Sequence, residues 1–589
     1  MLKKYGIEYR VLSVGKNKTA VSVICSHPGA DIESGLMCAR RVAAELCFAV
    51  LLTTGAFGEQ KSSAPATSSS PASKTEACAS CHSEISKSYA KTVMANASGP
   101  AAEGLTTGEF SDKVSGVHYR VYQQDGKVWM SYERGGKDNP ITGQKELEYF
   151  IGSGVKGRTY LFSEDEFWFE APINWYSQEK RWNMTPAYTE SLEIPLNLPA
   201  YVDCLNCHAS GVQGPVPGTD SKYAGKPFQH AGISCERCHG SAAEHAGGKG
   251  PIVNPVKLTP QRRDDVCMEC HFEGTVAVQQ PGKHAYQFKP GERLSDYVHY
   301  FILTDTQMQA PRALSQFEAL ALSTCKRSSG DKMWCGSCHD PHSEPSPEQK
   351  VAYYRSKCLT CHGEEFGAKH HPDKPDCTHC HMPQLPSKDV AHTESTDHRI
   401  LRYPSGSPVP QLQIRGKPLR AFPKSNESLT TARDSALAWE TLAEHGFAGA
   451  ADEAESFLQK AVVETPDDPV LLAAQGFVEQ AHRHGTDAEE LYERALKANP
   501  LANDAAADLG ILKAQSGDLR GAVQLWQQAF NRVPNRSPIG MDLAMAFCAA
   551  GQRDVAKKYV ERVLEFNPDY GKAKSLLEHL ADPAGECKP

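Results

Sequence analysis

Seven copies of one pentapeptide, Cys-x-x-Cys-His, stand out in this 589-residue chain. They are Cys78-Cys81-His82, Cys204-Cys207-His208, Cys235-Cys238-His239, Cys267-Cys270-His271, Cys335-Cys338-His339, Cys358-Cys361-His362 and Cys377-Cys380-His381. Two thiols at i and i+3 can add to the two vinyl groups of one porphyrin, and the adjacent imidazole then lies under the iron. These motifs take up fourteen of the 20 cysteines. A zinc ribbon or a disulfide framework also uses paired cysteines, but neither explains a His after every second Cys. The spacing therefore reads as seven covalently held c-type haems. Their proximal ligands are His82, His208, His239, His271, His339, His362 and His381.

An iron ligated by two histidines needs a second imidazole from elsewhere, and the chain has 23 His. Eleven further histidines lie between the first motif and Arg402, enough for seven irons. The candidate distal ligands are His118, His230, His245, His299, His342, His379, His392 and His398. His284 is a further spare, and of His370 and His371 at most one is expected to ligate. Met94, Met184, Met268, Met333 and Met382 are weaker axial candidates. His27, His445, His482, His484 and His579 lie outside the segment and are left aside. No catalytic residue is assigned.

The elements that must position these groups follow from spacing. First cysteines are 126, 31, 32, 68, 23 and 19 residues apart, and the short intervals leave little room for independent structure. The expectation is a mostly α fold: a multihaem cytochrome c domain over 76–425 with few regular elements, its core largely porphyrin. The long first gap differs. Residues 110–190 hold Trp129, Trp168, Trp175 and Trp182. His118–Val121, Asp125-Gly126 and Val128–Tyr132 read as a hairpin with a tight turn. Tyr160–Phe162 and Phe167–Ala171 read as a second strand pair. This β-rich insert is expected to pack its aromatics into its own core. The other reading is a pocket over the first haem, with Tyr119, Tyr160 or Arg158 in it.

Beyond residue 427 the cysteine-rich pattern stops. Pro466, Pro500, Pro534 and Pro568 recur every 34 residues, as do Ala454, Ala488, Ala522 and Ala556. Ala461, Ala495 and Ala529 keep the period, with Val563 in fourth place. Leu458, Tyr492, Trp526 and Val560 supply a bulky residue between them. This is the tetratricopeptide pattern, giving an α-α solenoid of four repeats over 427–582, with Leu509-Gly510 marking the best unit. Such a solenoid offers a surface for a redox partner protein or for self-assembly into an oligomer or filament, and bracing of the haem domain is the alternative. Cys548 reads as a small buried apolar residue; Cys325 and Cys587 have no assignment.

The net charge of −8 argues against a nucleic-acid partner. Met37, Arg40-Arg41, the apolar run from Val42 to Thr54 and Ala56-Phe57-Gly58 read as a signal peptide over 37–58, within a presequence of 1–58. Residues 59–75 form a flexible linker. No segment has the continuous apolar length of a membrane span. The expectation is an exported protein, periplasmic or extracellular.

Several stretches resemble a known family. Cys78-Ala-Ser-Cys-His, Gly232-Ile-Ser-Cys-Glu-Arg-Cys-His-Gly, Cys335-Gly-Ser-Cys-His-Asp-Pro-His and the run from Asp376 to Ile400 are similar to bacterial multihaem c-type cytochromes with C-terminal tetratricopeptide repeats. More distantly they resemble the hydroxylamine oxidoreductase and pentahaem nitrite reductase superfamily. Ile151-Gly-Ser-Gly, Arg158-Thr-Tyr and Trp175-Tyr add to the likeness. The resemblance implies electron transfer outside the cytoplasm and supports His245 and His342 as distal ligands. It supplies no substrate, and the Cys-x-x-Cys-Lys of nitrite reductase does not occur here. An electron carrier is the preferred expectation. The alternative is an oxidoreductase acting on a small nitrogen or sulfur compound at one open haem.

Overall fold

The computed structural model describes residues 78–136, 140–185, 188–303, 315–370, 373–384, 396–402, 419–582 and 587. The presequence, the linker, His371 and His392 lie outside the described residues.

The aromatic-rich gap folds as two antiparallel sheets. One orders β1 (Ser98–Pro100), β6 (Tyr149–Ile151), β7 (Gly157–Glu164), β8 (Phe167–Tyr176) and β9 (Arg181–Met184). The other orders β2 (Gly108–Ser111), β3 (His118–Gln124), β4 (Lys127–Arg134) and β5 (Ile141–Leu147). Asp125 and Gly126 both adopt positive φ, which matches the two-residue turn that joins β3 to β4. Alternate residues of the strands fill a common core in which Tyr119, Met130, Phe150, Tyr160, Phe162 and Phe169 are almost wholly buried. Tyr119 and Tyr160 are thus core residues. Arg158 donates to the Glu103 carbonyl and covers the Phe150 ring at 3.8 Å, so it braces the insert from outside.

Helices lie within, beside or between the motifs: α1 (Ser83–Tyr89), α2 (Val202–His208), α3 (Glu236–His239), α4 (Ala243–Ala246), α5 (Pro260–His271), α6 (Gln316–Leu322), α7 (Thr324–Ser329), α8 (Lys350–His370) and α9 (Cys377–His381). Gly363 leaves helical geometry inside α8, a kink directly after His362. The strands β10 (Ala209–Val212) and β11 (Phe228–Ala231) pair after α2. A three-stranded sheet, β12 (Val276–Gln279), β13 (Val298–Leu303) and β14 (Leu419–Phe422), was not foreseen from the sequence. Its central strand is buried at every position, so its residues show no alternation to read.

Among the described residues nine helices follow, the first eight as four antiparallel hairpins: α10 (Ala432–Glu444), α11 (Ala450–Glu464), α12 (Pro469–Ala481), α13 (Gly485–Ala498), α14 (Asn503–Ser516), α15 (Leu519–Arg532), α16 (Ser537–Ala549), α17 (Arg553–Phe566) and α18 (Gly571–Ala581). The periodic alanines Ala454, Ala488, Ala522 and Ala556 are fully buried where helices cross. Gly510 takes the Trp526 indole so closely that a Cβ there would lie 2.3 Å from its nitrogen. Cys548 is buried as expected, but it forms a disulfide with Cys587.

The solenoid packs against the rest of the chain at both ends. Near its start, Arg433 donates to the Gln279 carbonyl and Asp434 accepts from His299. Near its end, Phe566 meets Phe169 at 5.3 Å, Arg134 pairs with Asp569 and Arg562 pairs with Asp165. Bracing of the haem-motif region by the repeats is therefore built into the fold.

Candidate haem-binding site

Each motif uses one helical turn to aim its ligands. The amide of His82 donates to the Cys78 carbonyl, that of His239 to Cys235 and that of His339 to Cys335. Residues three apart share a helix face, so the two thiols of a motif point the same way while the next residue turns under them. The His239 Nδ1 lies 2.8 Å from the Val253 carbonyl and the His381 Nδ1 2.6 Å from the Leu401 carbonyl. A carbonyl only accepts, so Nδ1 holds the proton and Nε2 keeps a lone pair for a metal. His398 is set the same way by the Thr396 carbonyl at 3.0 Å.

Among the described residues, three motif histidines face a second imidazole. His82 and His245 have ring centres 6.3 Å apart, His239 and His342 5.9 Å, and His339 and His398 6.2 Å, all with nearly parallel planes. A metal held between two imidazole nitrogens at ~2.0 Å each sets the ring centres ~6 Å apart. The donor set therefore fits a haem iron, and the thiols beside it fit covalent attachment. His342 serves His239 although it follows His339 by three residues; the Cys-His-Asp-Pro-His loop thus belongs to two sites.

The remaining candidates are placed differently. His118 sits on β3 with Nδ1 3.0 Å from the Ser111 hydroxyl, and His230 lies on β11. His299 is buried with Nδ1 2.9 Å from Asp434, on the side of β13 that faces the repeats rather than the cavity-lining Val298 and Tyr300. Strand geometry places His118 and His230 on sheets and sets His299 against the solenoid. His379 lines the cavity beside His362 and His381. Met184 and Met268 are packed in apolar cores.

The motifs crowd one another. Cys78 and Cys235 are in hydrogen-bonding reach, as are Cys207 and Cys270, Cys267 and Cys335, and Cys358 and Cys377. Cys238 also neighbours Cys270, and Cys338 neighbours Cys361. Contact order thus departs from chain order: the first motif touches the third, and the second and third both touch the fourth. Two devices enforce this. Gly232, at φ +67, brings its backbone so near the Ala95 carbonyl that a Cβ would lie 1.9 Å away. A buried polar cluster joins Asn206, Arg237 and Glu269, each the residue before the second Cys of its motif.

Most motifs open on one continuous cavity of about 4240 Å³, several times the ~300–1,000 Å³ of an ordinary ligand site. The insert contributes Thr159, Glu170, Asn174 and Thr185 to its lining, as do Cys204 and His208 of the second motif. Glu170 is buried, and burial pushes its carboxyl up to about 7. The Asn174 carbonyl accepts from Thr159, while the Asn174 amide nitrogen is buried without a partner in the protein.

Residues 174–240 match the family "Cytochrome c554 and c-prime", 328–367 match "Doubled CXXCH motif" and 513–580 match "Tetratricopeptide repeat". A curated relative is the multiheme cytochrome MtrA of Shewanella baltica (strain OS185), 27% identical over 188 residues. That match takes in 28% of this chain and 54% of the relative, so the chain spans about half the length of the curated relative it matches. Among solved structures, MamA is 20% identical with a TM-score of 0.22, covering 24% of this chain and 82% of that one. The Pseudomonas aeruginosa pilF structure is 21% identical with a TM-score of 0.23, covering 25% and 68%. No described helix is long and apolar enough to cross a membrane. Taken with the site, the three family matches and the curated relative make the chain a multihaem cytochrome c sequence with C-terminal tetratricopeptide repeats.

Proposed function

We propose that the protein relays electrons through seven covalently bound c-type haems and works outside the cytoplasm, periplasmic or extracellular, after removal of a signal peptide. The observation that carries this is the facing of imidazoles across three motifs at 5.9–6.3 Å. A six-coordinate iron with two histidines exchanges electrons without binding substrate. The thiol contacts suggest the route: first, third, fourth, fifth, sixth and seventh haem in turn, with the second joining at the fourth. The repeats hold this array and leave further solenoid surface for a redox partner protein or a second copy.

The test is a haem count on the purified protein by mass and by pyridine haemochrome, then optical and EPR spectra of the oxidised form with and without nitrite and carbon monoxide. Seven haems, low-spin and unresponsive, are the expected result. Fewer haems, or a ligand-binding high-spin majority, would overturn the relay.

A second reading has one specific observation behind it. Glu170 and the unpartnered Asn174 amide line the cavity that the second motif also lines. A carboxyl that holds its proton near neutrality could supply it to a small nitrogen or sulfur oxyanion being reduced there. Turnover of nitrite, hydroxylamine or tetrathionate, lost in Glu170→Gln, would establish this oxidoreductase in place of the pure carrier.

A further inference from the structure

We infer that His445, at the end of the first solenoid helix, is the distal axial ligand of the haem attached at Cys267-Cys270-His271, so that the repeat domain itself completes a redox centre. This rests on the haem reading above and assigns a ligand to a histidine outside the cysteine-rich segment.

Placement comes first. Arg433, near the start of α10, donates to the carbonyl of Gln279 at the far end of β12, and Asp434 accepts from Gln280 at 2.9 Å. Val276, at the near end of β12, shares an apolar cluster with Leu442 and Phe447. Helix and strand therefore run in opposite directions. From Arg433 to His445 the helix climbs ~18 Å at ~1.5 Å per residue. From Gln279 back to Gly274 the chain spans ~16 Å at ~3.3 Å per residue. His445 is thus level with Gly274, the segment that leaves α5 directly after His271. His271, Glu273, Gly274, Thr441 and His445 all line the same cavity.

Orientation comes second. His445 caps α10, and the turn after it is a closed capping motif. Gly446 takes φ +75, its amide donates to the Ala443 carbonyl, and the Phe447 amide donates to Leu442. Phe447 packs back on the cluster that contains Leu442. A backbone fixed on both sides of His445 fixes the direction in which its side chain leaves the chain, which suits a metal ligand. In the next repeat the capping position of α12 is also a histidine, His482, but its ring lies among Asp452 and Glu455 rather than on the cavity.

The experiment compares the full-length holoprotein with His445→Ala, His445→Met and His482→Ala. The haem content of each is measured first, which separates failure of the haem reading from failure of this assignment. In His445→Ala we expect one extra high-spin haem per chain by EPR, one extra equivalent of carbon monoxide bound in the ferrous form, and return to low spin on adding free imidazole. His445→Met exchanges one ligand for another, so it keeps low spin and raises the potential of a single haem. His482→Ala matches the parent. A His445→Ala protein with full haem and the parent's spin state overturns the assignment. So does a high-spin signal that imidazole does not reverse. If His445→Ala fails to accumulate, an unshifted potential in His445→Met overturns it equally.

Discussion

Arg237 and Glu269 form a buried ion pair at 2.8 Å between the third and fourth motifs, with the carboxylate only 2% exposed. Each occupies a position the motif leaves free, and Asn206 of the second motif donates to the same carboxylate oxygen at 3.1 Å. Three motif turns are therefore tied to one another by residues that the motif itself leaves unspecified.

Glu269→Gln should destabilise the protein by ~3–5 kcal/mol, because it leaves the guanidinium buried without its countercharge. Arg237→Met with Glu269→Leu should cost less than either single change. Chemical denaturation of the three holoproteins reads the difference, and additive losses would mean the pair is not coupled.

Glu170 gives a pH dependence with a defined sign. Its folded value of about 7 lies above the ordinary 4.5 because burial disfavours the charge. Between those values the unfolded chain loses the proton first, so stability falls as pH rises from 4.5 to 7. Glu170→Gln removes that penalty. Its melting temperature should exceed the parent's at pH 7, by the equivalent of ~3 kcal/mol, and equal it at pH 4. A gain that persists at pH 4 would point to packing instead.

Phe566 belongs to the last repeat by sequence and to the core of the β insert by contact. Phe566→Ala should cost ~3–5 kcal/mol. Limited proteolysis should then cut the insert faster, not only the solenoid. Protection of the insert in the variant would show that the two cores are independent.

Gly232→Ala places a methyl group against the Ala95 carbonyl and forces an L-residue into the left-handed region. The expected loss exceeds ~2 kcal/mol in thermal melts. Because the contact sets the third motif beside the first, the His82 and His245 pairing should be disturbed before distant ones. EPR of the variant tests that order.

Haem attachment and the repeats were legible because both are local. A thiol pair with its histidine is complete within five residues, and the 34-residue period repeats one packing unit. Distal pairing was harder, since His245, His342 and His398 meet partners through the fold rather than through spacing. His245 and His342, both near a cysteine in sequence, lie opposite motif histidines, His230 lies on β11, and His445 stands past the compositional boundary. Asn206, Arg237 and Glu269 escaped notice because the motif treats their positions as free. The only available signal was that three such positions carry groups able to pair.

The contact of Arg134 with Asp569 joins residues 435 apart in sequence, and that of Arg562 with Asp165 joins residues 397 apart. The insert is among the first described parts of the chain to be synthesised, yet one side chain of its core arrives with the last repeat. Such distant closures are slow, and until they form the unfinished core stays open to water and to other chains. The β structure is therefore sealed only after the helix that carries Phe566 has been made, long after its own strands.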